Sequence, residues 1–261
     1  MKLSPQTINA INAGLKAGKL LYQYRNENLN IKLKGNSFRD VVTEIDIASE
    51  NIILDELGKN SDSFTYISEE KGDQRKNTSS FWIIDPLDGT ANYSSGLPIY
   101  GVSIAYVENF KLKSSVIYLP ETNDLYFAEI NKGAFKNNKK LNANIATQIE
   151  DSLIGITFPS MFNENTKKES AYKIYSELNF ESKGVLRLGS SVYCLALLAE
   201  NKLNSIVGFK AKIWDIAAGI LICKEAGLKT DFLEASLKNE NHDYIIANAK
   251  LYEYLKNIII F

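Results

Sequence analysis

Residues 81–93 read FWIIDPLDGTANY. Phe81 to Ile84 are four large apolar residues in succession, the pattern of a short strand buried on both faces. The strand is expected to stop at Asp85-Pro86, because Pro86 has no N–H to give to a ladder and holds its own φ near about −65°. Asp88 lies three residues beyond Asp85, and a turn at Pro86 lets it swing back beside that residue. Two neighbouring carboxylates repel, so one must hold a proton or both must share a cation. A hard divalent cation such as Mg²⁺ suits them, since it prefers oxygen ligands. Gly89-Thr90 follow directly, and a glycine there lets backbone amides close on an anion. Acid pair, cation and amide cradle together point to phosphate chemistry. The competing reading is an ordinary Asp-Gly turn after a buried strand.

The rest of the chain limits the alternatives. It has 261 residues, 45% from the hydrophobic set and 23% charged, with 30 Lys+Arg against 31 Asp+Glu. That balance excludes a disordered tail, a coiled coil and a disulfide-framed mini-protein. It also lacks the basic stripe of a nucleic-acid binder, so nucleic acid is an unlikely partner. The longest apolar run, residues 216–223, is far short of the roughly 20 residues that span a bilayer. Polar Gln6, Asn9 and Asn12 interrupt the first residues, so no secretory signal is expected there. Cys194 and Cys223 lie in apolar stretches and read as buried free thiols, consistent with a cytoplasmic protein. With one histidine, His242, in a polar loop-like stretch, any metal must be held by oxygen.

The patterning alternates helices with mixed strands. Ile8, Ile11, Leu15, Gly18 and Tyr22 step by three and four, predicting a first helix with that set on one face. Residues 46–57 predict a second helix ending at Gly58. Residues 99–107 and 111–119 read as a hairpin and 125–130 as a further strand. Beyond them, 190–200 and 214–226 read as helices, 206–207 as a strand end, 244–247 as a strand and 251–260 as a closing helix. This is an α/β (α+β) layered protein.

Acids recur at expected turns: Glu69-Glu70 in YISEEKGD, Asp85 and Asp88, and Asp215 in KIWDIAAG. The LDGT run is similar to the haloacid-dehalogenase signature, whose nucleophilic Asp stands two residues before the second Asp. Pro86 occupies that position here, so a covalent aspartyl-phosphate route lacks its nucleophile.

The set as a whole resembles the inositol monophosphatase family, of Mg²⁺-dependent, lithium-sensitive phosphatases. DPLDGTANYSSGLPIYGVSIA (85–105) is similar to that family's first signature and WDIAAGILICKEAG (214–227) to its second. DVVTEID (40–46), ISEE (67–70), KGAFKNNKKL (132–141) and RLGSS (187–191) extend the likeness in order and spacing over most of the chain. The resemblance implies a layered α-β-α-β-α sandwich, a single unit over 1–261 with halves 1–140 and 141–261, and a homodimer. It implies metal ligands Glu69, Asp85, the carbonyl of Leu87, Asp88 and Asp215, holding two or three Mg²⁺ ions. Glu70 would stand behind the ligands. Asp46, Glu69 and Thr90 would serve the attacking water, and the amides of Gly89 and Thr90 would hold the phosphate, with Asp88 and Asp215 also facing substrate.

Physical reasoning fits that picture. Four carboxylates and a phosphate monoester of roughly −2 charge would repel one another without divalent cations. The expected reaction is direct in-line attack by water on a small phosphorylated substrate, with no covalent intermediate. The family's upstream lysine aligns at or beside Lys34, with Gly35 at the directly counted position; it either screens phosphate charge or is a solvated surface lysine. Arg187 either supplies a planar fork to phosphate or braces the site. The family's substrate-contacting Glu, seven residues before the second-signature Asp, is Gly208 here, with Lys210 and Lys212 nearby, which suggests a more open or more positive alcohol side. Inositol 1-phosphate is the default substrate. Fructose 1,6-bisphosphate, histidinol phosphate, adenosine 3′,5′-bisphosphate or a dinucleotide 2′-phosphate are alternatives. The reading from another class is a regulatory protein that binds within a transcription assembly.

Overall fold

The structure, a computed structural model, describes residues 2–27, 31–33, 41–59, 64–76, 78–143, 145, 147–159, 162, 165–232, 237 and 239–259; residues 31–33 and 41–42 are described by backbone alone. Lys34, Gly35, Arg39 and Asp40 lie outside them.

Helix α1 (Pro5–Tyr24) starts at Ser4, whose hydroxyl accepts from the Thr7 amide at 3.2 Å, with Pro5 where a missing N–H costs nothing. Strands β1 (Ile31–Leu33) and β2 (Val41–Thr43) pair antiparallel and lead into α2 (Glu44–Gly58). Next come β3 (Tyr66–Ser68), β4 (Gly72–Asp73), β5 (Phe81–Asp88) and the short α3 (Thr90–Ser94). A meander follows, of β6 (Gly101–Glu108), β7 (Lys111–Leu119), β8 (Asp124–Glu129), β9 (Gly133–Lys136) and β10 (Lys139–Lys140). The remainder runs β11 (Leu153–Thr157), α4 (Asn165–Glu181), β12 (Gly184–Leu186), α5 (Ser191–Ala199) and β13 (Ser205–Lys212). It ends with α6 (Ile213–Glu225), β14 (Lys229–Thr230), β15 (Asn241–Ala247) and α7 (Ala249–Ile258).

Two mixed sheets carry the fold. The first has eight strands in the order β10-β9-β8-β7-β6-β5-β3-β4, and the second five in the order β12-β11-β13-β15-β14. Each sheet is apolar on both faces, so both faces must be covered. Helices α1 and α2 cover one face of the first sheet, burying Ala13, Ala17, Leu21 and Ile53 against Ile84, Val102 and Ile104. Helices α5 and α6 fill the space between the sheets, where Leu195, Ile216 and Ile220 meet Ile117 on one side and Ile206 and Ile246 on the other. Helices α4 and α7 close the far side, with Ile174, Leu178, Leu251 and Leu255 on Ile156, Val207 and Ile245. The result is the layered α-β-α-β-α sandwich. Among the described residues no helix is long and apolar enough to cross a membrane, and both cysteines are buried and free.

Three expectations from the sequence differ from the structure. β5 does not stop at Asp85-Pro86. It passes through Pro86 to Asp88, because the ladder skips the proline with a bulge instead of ending. His242 lies in β15, buried, with Nε2 3.0 Å from the Asn239 carbonyl, and not in a loop. The third concerns α1. Its buried face is Ala10, Ala13, Gly14, Ala17, Gly18 and Leu21, while Ile8, Leu15 and Tyr22 are exposed. Small residues win this face because the helix lies close on the sheet: a Cβ at Gly18 would stand 2.2 Å from Tyr118 Cδ1.

This contact makes a paired prediction. Gly18→Ala is expected to destabilise by about 1–3 kcal/mol through overpacking. Gly14→Ala, whose Cβ would meet Val116 Cγ1 at an ordinary 3.5 Å, should be neutral or stabilise by up to about 1 kcal/mol through helix propensity. Urea unfolding followed by tryptophan fluorescence separates the two.

Candidate active site

The bulge in β5 builds the first half of the site. Asp85 pairs with Ser103 and pairing resumes at Asp88 with Gly101, so three steps on β5 oppose two on β6. Along a regular strand residues three apart point to opposite faces; the extra residue brings Asp88 back to the side of Asp85. The Leu87 amide donates to Asp85 Oδ1 at 3.0 Å and holds the bulge from within.

The second half comes from the other sheet. β13 runs directly into α6, and Asp215 sits in that helix's first turn, where unsatisfied amides favour an acid and the Lys212 backbone bonds its carboxylate. At the start of α5, Ser190 Oγ and the Val192 amide, at 2.7 Å, both donate to Asp88 Oδ2. Oxygens of Asp85, Asp88 and Asp215 lie within 4.8 Å of one another. Glu69, half-buried in the turn after β3, brings its carboxyl within hydrogen-bonding reach of Asp85.

Such crowding moves protons. Burial, then the charges of Glu69, Asp88 and Asp215, push the Asp85 carboxyl well above the usual range. Burial and the charges of Asp88 and Glu69 do the same to Asp215. Asp88 is pushed up to about 7 by burial, against the opposing pull of the Ser190 and Val192 bonds. Asp85 Oδ2 is buried and receives no hydrogen bond among the described residues. An orphaned carboxylate oxygen within an all-oxygen acidic set is what a hard divalent cation satisfies, so the residues present fit Mg²⁺.

Beside this cluster stands a second pair. Thr90 Oγ1 lies 2.9 Å from Asp46 Oδ1 and 3.1 Å from the Leu87 carbonyl. Asp46 is wholly buried, and its Oδ2 accepts from the Thr43 amide at 2.8 Å and the Thr43 hydroxyl at 2.5 Å. Gly89 has φ of 92°, and a Cβ there would stand 2.7 Å from the Ile99 carbonyl, so only glycine fits. The structure thus gathers Asp85, Asp88 and Asp215 in one cluster, with Glu69 against Asp85 but outside that three-aspartate group, and with Asp46, Leu87, Gly89 and Thr90 beside it. Arg187 is different: it is exposed and makes no hydrogen bond or ion pair among the described residues.

Sequence reading missed three participants. Ser190 caps α5, accepting from the Tyr193 amide at 3.0 Å; that it also holds Asp88 depends on the packing of α5 against β5. Glu50 carries no signal beyond its place one turn after Asp46. Tyr244 carries none at all until the strands are paired. Gly208 then sits between Thr157 on β11 and Tyr244 on β15. The Tyr244 ring lies over Gly208, where a Cβ would stand 2.0 Å from its Cε1, and its hydroxyl lies 3.4 Å from Thr157 Oγ1. The space at Gly208 is therefore filled by a buried phenol, and Lys212 is ion-paired with Glu240. The more open, more positive surface expected there is not what these residues form.

The layering and the all-oxygen acidic site between the sheets define an inositol monophosphatase-like α/β fold. The profile described as the inositol monophosphatase family matches residues 2–259, and the chain belongs to that family. It is 34% identical over 223 residues to the inositol-1-monophosphatase of Mesorhizobium japonicum, covering 83% of this chain and 81% of that protein. It is 33% identical over 232 residues to the Nus factor SuhB of Vibrio cholerae serotype O1, covering 88% and 86%. The crystal structure of extragenic suppressor protein suhB from Bartonella henselae superposes with a TM-score of 0.87 at 30% identity, covering 97% of this chain and 98% of that one.

The raised carboxyl of Asp88 predicts a pH dependence. An unfolded Asp titrates near 3.8 and Asp88 near 7, so the folded chain holds more protons between those values and its stability falls as pH rises through them. Metal-free protein is expected to melt at a lower temperature at pH 8 than at pH 5, with Mg²⁺ closing the gap at pH 8. Calorimetric scans with chelator and with added Mg²⁺ check both halves.

Proposed function

We propose that this chain hydrolyses a small phosphate monoester, with inositol 1-phosphate as the first substrate to test, and that Mg²⁺ is its cofactor. The observation that carries the reading is the convergence of Asp85 and Asp88 from β5 with Asp215 from α6, with an orphaned oxygen on Asp85. Glu69, Asp85, the Leu87 carbonyl, Asp88 and Asp215 would hold two or three ions. When bound, such ions offset the negative charge of acids and phosphate, polarise phosphoryl oxygens and make water a stronger nucleophile.

The protein's own residues do the rest. The amides of Gly89 and Thr90 bind and orient the phosphate at the start of α3. Thr90 Oγ1, hydrogen-bonded to Asp46 Oδ1, relays a proton from the attacking water to that carboxylate. Asp46 cannot turn away, because Thr43 grips its other oxygen. Water attacks in line as the bond from phosphorus to the alcohol oxygen breaks, and the leaving oxygen takes a proton from solvent, with no covalent enzyme intermediate. The chain works as one unit, and we take it to be a cytoplasmic homodimer.

Phosphate release from a panel of inositol 1-phosphate, fructose 1,6-bisphosphate, histidinol phosphate and adenosine 3′,5′-bisphosphate tests the reading. Turnover is expected to need Mg²⁺ and to favour the sugar and polyol esters; preference for the nucleotide would change the substrate, and a trapped phosphorylated side chain would change the mechanism. Asp88→Asn should lower kcat by at least about a hundredfold, in the range of lost transition-state electrostatics. It should still melt, metal-free at pH 8, no lower than the parent, because a neutral amide replaces a half-buried charge crowded by other acids. Relatives named Nus factor support a second reading, a role in binding instead of turnover. Cells that tolerate Asp88→Asn but not deletion would favour it.

A further inference from the structure

The inner side of α2 is polar where a helix on a sheet is ordinarily apolar. Asp46, Ser49 and Glu50, at i, i+3 and i+4, have no exposed surface and share one face of the helix. Each reaches a different segment. Asp46 holds Thr90 beyond the bulge, and Ser49 Oγ donates to the Pro86 carbonyl within it at 2.8 Å. Glu50 Oε1 accepts from the amides of Glu70 and Lys71, both at 3.2 Å. One helical turn thus grips both segments that carry the acids.

The reaction uses neither Ser49 nor Glu50, and Glu50 is the ionisable one of the two. Its hydrogen bonds among the described residues all go to those two amides, and its Oε2 is buried without a partner. Burying a carboxylate for two long amide bonds is unfavourable beside an apolar residue of the same size, so stability alone gives no reason for it. The two amides belong to the residues directly after Glu69, whose carboxyl reaches Asp85. The same turn has a second, exposed tie to α2, Lys71 Nζ donating to Asn51 Oδ1 at 2.6 Å; Glu50 supplies the buried one, on the backbone next to Glu69.

We infer that Glu50 is a positioning residue, which through the Glu70 and Lys71 amides holds Glu69 against Asp85 for cation binding. The inference rests on reading these acids as a metal site. It acts before any substrate arrives, so its measure is cation affinity.

Isothermal titration of Mg²⁺ into the metal-free 261-residue chain tests it. Glu50→Ala is expected to weaken Mg²⁺ binding by about 10- to 100-fold, the usual consequence of losing a group that orients a ligand. Amides 70 and 71 should exchange hydrogen faster, and kcat should recover at high Mg²⁺. Glu50→Gln keeps a carbonyl acceptor and should bind Mg²⁺ much as the parent does. Ile53→Ala, a wholly buried apolar residue of the same helix, should lose stability without losing affinity. If Glu50→Ala does not fold, Glu50→Asp, one methylene too short to reach both amides, replaces it with the same expected loss. Parental Mg²⁺ affinity in the variant overturns this inference alone. An unaltered protein that binds no Mg²⁺ overturns the metal reading and the inference with it.

Discussion

Three carboxylates with oxygens within 4.8 Å of one another must keep protons or share cations, and the surrounding structure is arranged to bear that repulsion. Two come from one strand and the third from the helix that follows a strand of the other sheet, so the cluster sits where the layers meet. The starts of α5 and α6 both point into it. Asp88 is met by the Ser190 hydroxyl and the Val192 amide, and Asp215 lies in the first turn of its own helix. These donors lower the cost of charge without removing it, and Asp88 still sits near 7. Partial neutralisation leaves room for a cation to complete the site.

Rigidity around the acids follows from the same need. A site that gathers like charges must not let them drift apart, and each carrier is fastened to something buried. Leu87 closes the β5 bulge onto Asp85, α2 grips that loop through Asp46 and Ser49, and Glu50 holds the turn that bears Glu69. The polar face of α2 is covered by the site it supports. This explains why the sequence of that helix shows a weaker apolar stripe than its depth in the fold would suggest. Helix α1, with nothing to grip, uses alanine and glycine to lie close on the same sheet.

Around Gly208 the structure is simpler than its sequence implies. Gly208 suggests a gap, but the sheet places it between Thr157 and Tyr244, and the phenol ring closes over it. The wall there is a packed phenol and not a carboxylate at position 208. Among the described residues the neighbouring Lys212 is committed to Glu240.

Much of this protein is legible in its residues. The apolar run 81–84, the two acids around Pro86, the glycine that follows and the acid at 215 are enough to place a buried strand, an acidic loop and phosphate chemistry, because strand period, proline chemistry and carboxylate repulsion are local properties. The layered class follows from the alternation of helical and strand patterns. Other features were not legible, since they depend on residues far apart in the chain. Whether β5 ends or bulges at Pro86 is decided by its pairing with β6, and that choice puts Asp85 and Asp88 on one face. The buried side of α1 is decided by how closely Tyr118 lets the helix approach. The Ser190 bond to Asp88, the Tyr244 ring over Gly208 and the Glu50 hold on the Glu69 turn each join segments that only packing makes neighbours. The sequence by itself determined which atoms could bind a cation; the tertiary structure decided that they meet, because convergence is a property of contacts between layers and of no single stretch of chain.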